Sequence, residues 1–216
     1  MAERPIFVPV EKGSRLVDEI PIAFVWSPGM APSQKKKNVV ALHEAAKKRG
    51  LTPLLEISSK SEREVGRKLS AFSLELDIGD AQITIESAFQ GSKVFERGGP
   101  YTDLFLASSR DAKGDSRLRE SGNLIGFHYL GRDFPLSPTT AFYDWLYLNA
   151  LYPHRDWLKR VQKCIGFTDI EFNPERSLNC QARSFATFVA LEKRGKLDLA
   201  MKSFENFKGL LETAAV

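Results

Sequence analysis

Residues 86–93 combine three side chains that can act together on a substrate. They read Glu-Ser-Ala-Phe-Gln-Gly-Ser-Lys and follow a β-branched run at residues 83–85. On a helix, spacings of four and seven residues place Glu86, Gln90 and Lys93 within one stripe of about 60°. A carboxylate, an amide and an amine on one face suit acid–base cleavage of a bond. An exposed, solvated Glu–Lys pair without a function would have the same spacing.

Asp144 lies among aromatic residues in a predicted helix, within Phe-Tyr-Asp-Trp-Leu-Tyr-Leu at residues 142–148. It is either the one hydrated position of a buried helix or a desolvated acid. Desolvation raises the pKa of a carboxyl group toward values that suit proton transfer. Periodicity alone leaves both interpretations open.

Two later segments carry further polar side chains. In an alternating strand at residues 168–172, Asp169 and Glu171 share one face, which is either solvated or lines a cleft. Residues 177–183 open a predicted helix, where backbone amides together with Asn179 and Arg183 could bind a phosphate. Plain helix capping is the alternative explanation for that segment.

The sequence lacks several common catalytic signatures. It contains no phosphate-binding P-loop, dinucleotide fingerprint, Gly-x-Ser-x-Gly elbow or His-Glu-x-x-His motif. The three histidines lie far apart, so no metal site is expected, and Cys164 and Cys180 are expected to be buried, reduced thiols. Carboxylates, amides, lysine and arginine remain, and this set suits metal-free cleavage of a glycosidic bond.

The elements that would position these groups are short strands and helices. Strands are predicted at residues 7–10, 20–26, 54–57 and 168–172, and helices at 33–49, 86–95, 137–151, 156–164 and 178–194. Residues 97–133 form a long irregular stretch, which is typical of functional loops. The expected fold is α+β, mainly helical with a small sheet. An α/β extension at residues 1–60 would pack on a catalytic domain at residues 61–216.

The composition indicates a globular protein with a modest basic excess. The 216 residues are 43% hydrophobic and 27% charged, and the formal net charge is +4. This excess fits a polyanionic partner, while the lysine clusters at residues 35–37 and 47–49 also fit a solvated helix face. No apolar run is long enough for a membrane helix and no secretory signal is present, so a cytoplasmic location is expected.

Several of these segments resemble the NADAR family, whose members include N-glycosidases. Ser-Ala-Phe-Ser at residues 70–73 resembles the family's Ser-Asn-Phe-Ser element, and residues 86–93 match its Glu-His-Tyr-Tyr-Gln-x-x-Lys motif in the Glu, Gln and Lys. Asp144 lies where the family has a Lys-Asp pair. Residues 169–174 and 179–183 resemble its late acidic strand and its Asn-x-Leu-Gly helix start. The chain is most similar to the branch of antitoxins paired with DarT-type DNA ADP-ribosyltransferase toxins.

The resemblance implies an antitoxin that removes ADP-ribose from ADP-ribosylated guanine in DNA, with no cofactor and no metal. The implied partners are ADP-ribosylated DNA, the product ADP-ribose and the cognate toxin. No association with a membrane is implied. The implied catalytic residues are Glu86, Lys93 and Asp144. The implied substrate-binding residues are Ser70, Phe72, Gln90, Gly98, Gly99, Asp169, Glu171, Asn179 and Arg183.

Two other functions remain open at the level of sequence. An N-glycosidase acting on a free ribosylated metabolite, such as a riboflavin-pathway-like intermediate, would use the same fold and residues. A non-catalytic antitoxin or nucleic-acid-binding module would act through its basic residues, such as those at 35–37. Assays on both kinds of substrate, and the salt dependence expected of DNA binding, separate these functions.

Overall fold

The fold is mixed, with helices and several small sheets interleaved along the chain. The computed structural model describes residues 1–29, 31–161, 163–175 and 177–213. Helices account for 42% and strands for 20%, which confirms the predicted α+β class. The strands are β1 Ala2–Pro9, β2 Val17–Phe24, β3 Leu54–Glu56, β4 Glu75–Ile78, β5 Ala81–Thr84, β6 Lys93–Phe95, β7 Leu124–Tyr129, β8 Arg132–Phe134 and β9 Gly166–Thr168. The helices are α1 Pro32–Lys47, α2 Glu64–Lys68, α3 Ile85–Gly91, α4 Ser109–Gly114, α5 Arg117–Glu120, α6 Ala141–Leu151, α7 Arg155–Leu158, α8 Gln181–Lys193, α9 Leu197–Ala200 and α10 Phe204–Thr213.

The four-stranded sheet joins the N-terminal residues to a segment far along the chain. Its order is β2-β1-β9-β3, with β1 antiparallel to β2 and β9, and β3 parallel to β9. Side chains alternate across a strand, so Ile6 packs on one face of β1 while Phe7 joins the larger core on the other. Residues 1–60 therefore share a sheet with residues 166–168.

Helix α1 covers one face of this sheet. Its buried residues Val39, Leu42 and Ala46 recur at intervals of three and four, which places them on one side of the helix. They pack against Ile6 and Ile22 of the sheet. Lys36, Lys37 and Lys47 of α1 are exposed, as expected for an amphipathic helix, whereas Lys35 is largely covered.

Helices α6 and α8 form the centre of the larger core. Nine of the eleven residues of α6 and ten of the thirteen of α8 are buried, so both helices are surrounded by protein. Phe142 of α6 stacks on Phe127 of β7 with ring centroids 4.5 Å apart. The two helices contact each other, and Ser184 of α8 donates a hydrogen bond to Asp144 of α6.

The helix predicted at residues 86–95 ends earlier than expected. Helix α3 stops at Gly91, and Lys93–Phe95 form β6, which pairs with β7. A Cβ atom at position 91 would lie 2.5 Å from Cδ1 of Phe105, so the glycine lets the 3-10 turn Thr102–Leu106 pack against α3. This close approach explains why a glycine stands inside the motif.

Other predicted boundaries shift for local reasons. The predicted strand at 168–172 is wrong beyond Thr168, because the Asp169 carboxylate accepts the backbone N–H of Glu171 at 3.0 Å and turns the chain. The predicted irregular stretch at 97–133 contains α4, α5 and the β7–β8 hairpin. The helix predicted to start at residue 137 starts at Ala141, and the one predicted to start at 178 starts at Gln181. The helix predicted at 156–164 is the shorter α7, Arg155–Leu158, and residue 162 lies outside the described residues. No described helix is both long and apolar enough to cross a membrane.

Candidate active site

Glu86, Gln90 and Lys93 form a hydrogen-bonded chain at the end of α3. Gln90 Nε2 donates to Glu86 Oε1 at 2.8 Å, and Lys93 Nζ donates to Gln90 Oε1 at 2.7 Å. Glu86 and Gln90 are buried, with 5% and 7% of their surface exposed. The three residues expected to share a stripe are thus brought together, although Lys93 belongs to β6. The amide of Gln90 fixes both the carboxylate and the amine.

The turn at residues 70–73 holds the start of α3. The backbone N–H of Glu86 donates to the carbonyl of Ala71 at 3.0 Å, and Thr84 caps the helix by accepting the N–H of Ser87 at 3.2 Å. Ser70 is buried and its hydroxyl accepts the N–H of Phe72 at 3.4 Å, within the turn. Ser70 therefore shapes the turn that positions Glu86.

Lys113 of α4 is a member of this site that the sequence did not single out. Its Nζ lies 3.5 Å from Glu86 Oε1 and 5.2 Å from the ring centroid of Phe72. The Lys113 side chain is 59% exposed, and Phe72 is 39% exposed. Both residues therefore lie where the buried carboxylate meets solvent. Nothing in the local sequence around Lys113 indicates this contact, which depends on how α4 packs on α3.

Lys93 loses its proton more easily than an ordinary lysine does. Burial lowers the pKa of Lys93 to about 8, with Glu86 raising it and Lys113 lowering it further. Its Nζ also lies 4.8 Å from the ring centroid of Phe89. An amine with this pKa is present in both protonated and neutral forms near physiological pH, so it can serve as an acid or as a nucleophile.

Tyr143 connects the Glu86 cluster to a second polar region. Its ring packs edge-on against Phe89 with centroids 5.2 Å apart. Burial, and next the nearby Glu86 carboxylate, raise the pKa of Tyr143 well above its usual value, with smaller contributions from Cys180 and Asp169. Tyr143 therefore keeps its proton and lies between Glu86 and Asp169. The aromatic run around Asp144 contained this residue, but its spacing did not distinguish it from core.

Asp169 belongs to a buried pair of carboxyl groups. It lies close to Glu56, which accepts hydrogen bonds from Ser58 Oγ at 2.6 Å, Thr168 Oγ1 at 2.6 Å and the N–H of Ile170 at 2.9 Å. Burial and then Asp169 raise the pKa of Glu56, and burial raises the pKa of Asp169. Glu56 is an ionisable residue that follows two leucines in a strand, which was the available signal for this pair.

Gln181 links this pair to the turn beside Glu86. Its Oε1 accepts the N–H of Ala71 at 2.7 Å, and its side chain also hydrogen-bonds Asp169. Asn179, two residues earlier, has a buried Oδ1 atom without a hydrogen-bond partner among the described residues. Glu171 is exposed and forms an ion pair with Lys35 of α1 at 3.6 Å. The Asp169 region and the Glu86 region are thus joined through one turn.

Asp144 and Arg183 lie together, in a different cluster. Asp144 is 1% exposed and accepts hydrogen bonds from Ser184 Oγ at 2.5 Å and Thr140 Oγ1 at 2.8 Å, with Arg183 Nη1 at 3.6 Å. Arg183 donates further to Glu19 Oε1 at 2.9 Å. Burial raises the pKa of Asp144, and Arg183 opposes that effect. Among the described residues, no hydrogen bond or ion pair joins this cluster to Glu86, Gln90 or Lys93.

Gly98 and Gly99 lie in the loop after β6. Internal packing explains why both positions are glycine. A Cβ atom at Gly98 would lie 2.2 Å from the hydroxyl of Tyr101, and one at Gly99 would lie 2.2 Å from the carbonyl oxygen of Lys93. Gly99 also has a φ of +82°. These glycines let the loop pack closely behind Lys93.

The described residues contain no group of three or more His, Cys, Asp or Glu side chains that could hold a metal ion. Cys164 and Cys180 are free and buried. A surface groove of about 490 Å³ lies on another part of the molecule, lined by residues that include Tyr129, Trp145 and His154 but none of the Glu86 cluster. The Glu86 cluster itself offers a carboxylate, an amide and two amines.

Comparison with known proteins identifies the family of the chain. No curated protein matches the chain. A family model described as DarT1-associated NADAR antitoxin matches residues 2–216, which is nearly the whole length and includes both polar regions. The chain therefore belongs to the family of DarT1-associated NADAR antitoxins.

Proposed function

We propose that this antitoxin hydrolyses the bond between ribose C1 and the exocyclic amine of ADP-ribosylated guanine in DNA. The observation that carries the proposal is the buried chain from Glu86 through Gln90 to the Lys93 amine. An association with DarT1 fits a substrate made by a DNA ADP-ribosyltransferase. Reversal of that modification is a way for an antitoxin to act without blocking the toxin itself.

Glu86 is proposed to act on the ribose. Breaking the glycosidic bond leaves positive charge on C1 and the ring oxygen, and a carboxylate fixed nearby stabilises that charge more than it stabilises the ground state. Gln90 and Lys113 hold one carboxylate oxygen. The other oxygen of Glu86 remains for the sugar or for the attacking water, which it can deprotonate as a general base.

Lys93 is proposed to transfer a proton or to form a covalent intermediate. As an acid, the ammonium gives its proton to the guanine amine as the C1–N bond breaks, and water adds to C1. As a nucleophile, the neutral amine adds to C1 of the ring-opened sugar and displaces the guanine amine, and water then hydrolyses the Lys93 imine to release ADP-ribose. The lowered pKa of Lys93 supports either role.

The surroundings suggest how the substrate is held. Phe72 is half-exposed beside Lys113 and offers an aromatic surface for a base. Tyr143 lies near both Glu86 and Asp169, and the Oδ1 atom of Asn179 is proposed to accept a hydrogen bond from a ribose hydroxyl. Asp144 is proposed to act indirectly, because its contacts join α6 to α8 and so fix the position of Tyr143.

The test uses a single-stranded oligonucleotide with one ADP-ribosylated guanine. We expect wild-type protein to release free ADP-ribose and to restore guanine, with both products identified by mass spectrometry. The Glu86→Gln variant, whose side chain can still accept from Gln90, is expected to fold and to release none. Release from a free ribosylated metabolite but not from the oligonucleotide would support the metabolite N-glycosidase instead. Protection of cells by Glu86→Gln would support a non-catalytic antitoxin.

A further inference from the structure

The net positive charge of the molecule comes from its N-terminal part, because the charges of the remaining residues balance. Residues 1–60 contain ten Lys and Arg and six Asp and Glu, whereas residues 61–216 contain 21 of each. The net charge of +4 therefore resides entirely in residues 1–60. Between residues 25 and 50 there are six cationic side chains and one carboxylate. A charge asymmetry of this kind indicates a polyanionic partner on one side of the molecule.

Trp26 organises part of this charge. The guanidinium of Arg4 lies 5.4 Å and the ammonium of Lys35 5.5 Å from the centroid of its ring, within the range of cation–π attraction. The loop that carries Trp26 is fixed by Asn38, which accepts the N–H of Ser27 at 2.7 Å and donates to its carbonyl at 2.9 Å. The two cations are thus ordered before a partner arrives, which lowers the entropic cost of binding.

The adjoining lysines are exposed and have little local compensation. Lys36 and Lys37 follow Lys35 in α1, and the first turn of this helix contains no acidic residue. Cations near the positive end of a helix dipole are unfavourable. The neighbouring positive charges of Lys35, Lys36 and Lys37 also repel one another. A bound polyanion would offset both unfavourable interactions. We name Arg4, Trp26, Lys35, Lys36 and Lys37 the basic face.

A chain of contacts links the basic face to Asp169. Lys35 pairs with Glu171, whose N–H donates to Asp169. His43 of α1 reaches the same region, because its Nε2 lies 2.8 Å from the Thr168 hydroxyl that donates to Glu56. Burial lowers the pKa of His43 to about 4, so this histidine is neutral and donates its Nε2 proton to Thr168. Helix α1 is therefore anchored beside Asp169.

We propose that the basic face binds the phosphate backbone of the single DNA strand that carries the modified guanine. This proposal rests on the proposed function for the identity of the strand. The exocyclic amine of guanine is reached most easily in unpaired DNA. Arginine and lysine side chains beside an aromatic residue are typical of grooves that follow single strands. The basic face holds the strand while the modified base enters the Glu86 region.

The experiment compares two double variants with equal charge change on the same helix. Lys36→Glu with Lys37→Glu alters the basic face, and Lys47→Glu with Lys48→Glu alters exposed lysines at the other end of α1. The probe is an unmodified, fluorescent single-stranded oligonucleotide titrated at several salt concentrations. We expect the first variant to bind about tenfold more weakly and its salt dependence to lose about 1.4 units of slope, the share of two phosphates. The control is expected to change affinity by less than about threefold.

A second readout separates this proposal from the proposed function. With an ADP-ribosylated guanosine nucleoside, which has no DNA backbone, the two double variants are expected to give equal rates. With modified DNA, the basic-face variant is expected to need a higher substrate concentration. If wild-type protein binds the oligonucleotide through this face but hydrolyses neither substrate, the hydrolase proposal is wrong and the DNA-binding proposal stands. Equal loss of binding in both variants, or loss of binding to the toxin but not to DNA, would overturn the DNA-binding proposal.

Discussion

Two buried carboxylates on neighbouring helices have different surroundings. Asp144 accepts hydrogen bonds from Ser184 and Thr140 and lies beside Arg183, so protein groups use its lone pairs. Glu86 is held at one oxygen by Gln90 and by the exposed Lys113. Burial and pairing are common to both, so they do not distinguish a catalytic carboxylate from a structural one. Glu86 differs because, in the described part of the chain, one of its oxygens is free to accept a hydrogen bond from a substrate and because it lies beside the exposed Lys113.

The largest effect is expected from Lys93, and the other lysine near Glu86, Lys113, serves as the comparison. Replacing Lys93 by Met is expected to lower kcat on modified DNA by about 10²- to 10⁴-fold, because proton transfer or covalent catalysis is lost. Replacing Lys113 by Met is expected to lower it by no more than about tenfold, since its ion pair with Glu86 is largely exposed to solvent. Equal losses in the two variants, measured by ADP-ribose release, would contradict the assignment of Lys93 as the reacting lysine.

The opposite pattern is expected at the other carboxylate. Asp144→Asn removes the charge that faces Arg183 and is expected to lower the free energy of unfolding by about 2 kcal/mol. For a protein of this size that corresponds to a fall in Tm of about 4–8 °C. Activity per folded molecule should stay within a few-fold of wild type. Calorimetry measures the stability and the turnover assay measures the activity. A stable but inactive variant would show that Asp144 takes part in catalysis.

The pH dependence of kcat/KM is expected to reveal which role Lys93 plays. The pKa of Lys93 is about 8. If the ammonium is the acid, kcat/KM falls about tenfold for each pH unit above 8, and if the neutral amine is the nucleophile, it falls about tenfold for each unit below 8. A limb in one of these directions is expected in wild type and should be absent in Lys93→Arg, whose guanidinium stays charged. If kcat/KM of the wild type did not change across pH 8, the titration of Lys93 would not control the reaction.

The smallest effect concerns the pair formed by Glu56 and Asp169. The pKa of Glu56 in the folded protein is raised above its unfolded value, so its contribution to stability is complete below the unfolded pKa and is lost as pH rises through the folded pKa. Wild-type Tm is therefore expected to fall between pH 5 and pH 8. Glu56→Gln is expected to reduce that fall by about 2–4 °C. An unchanged slope in thermal melts would show that Glu56 keeps no extra proton when folded.

Sequence predicted the composition of the site better than its geometry. The spacing of Glu86, Gln90 and Lys93 indicated one cluster, and the structure forms it even though the helix ends at Gly91. Lys113 comes from a short helix in a stretch without periodicity, so its approach to Glu86 depends on tertiary packing alone. Tyr143 and Asp144 are adjacent in a helix that is buried all round, where no polar face tells which side meets the substrate.

The same limits apply to the fold. Short runs of β-branched and aromatic residues indicated strands in the N-terminal region, and together with the helical patterns they indicated the α+β class. The sheet that joins β1 and β3 to β9 pairs residues more than 100 positions apart, and local patterns contain no information about such pairing. The lysines of α1 were consistent with a simple solvated face, and only the contacts of Lys35 with Trp26 and Glu171 connect them to the site.

The central claim is that Glu86, and not Asp144, acts on the sugar. A single-turnover experiment with excess protein tests it most directly, because it measures release of ADP-ribose from modified DNA independently of product dissociation. The account predicts no detectable release by Glu86→Gln, and release by the folded fraction of Asp144→Asn at a rate within a few-fold of wild type. Near-wild-type release by Glu86→Gln, with both variants shown to be folded, would contradict it.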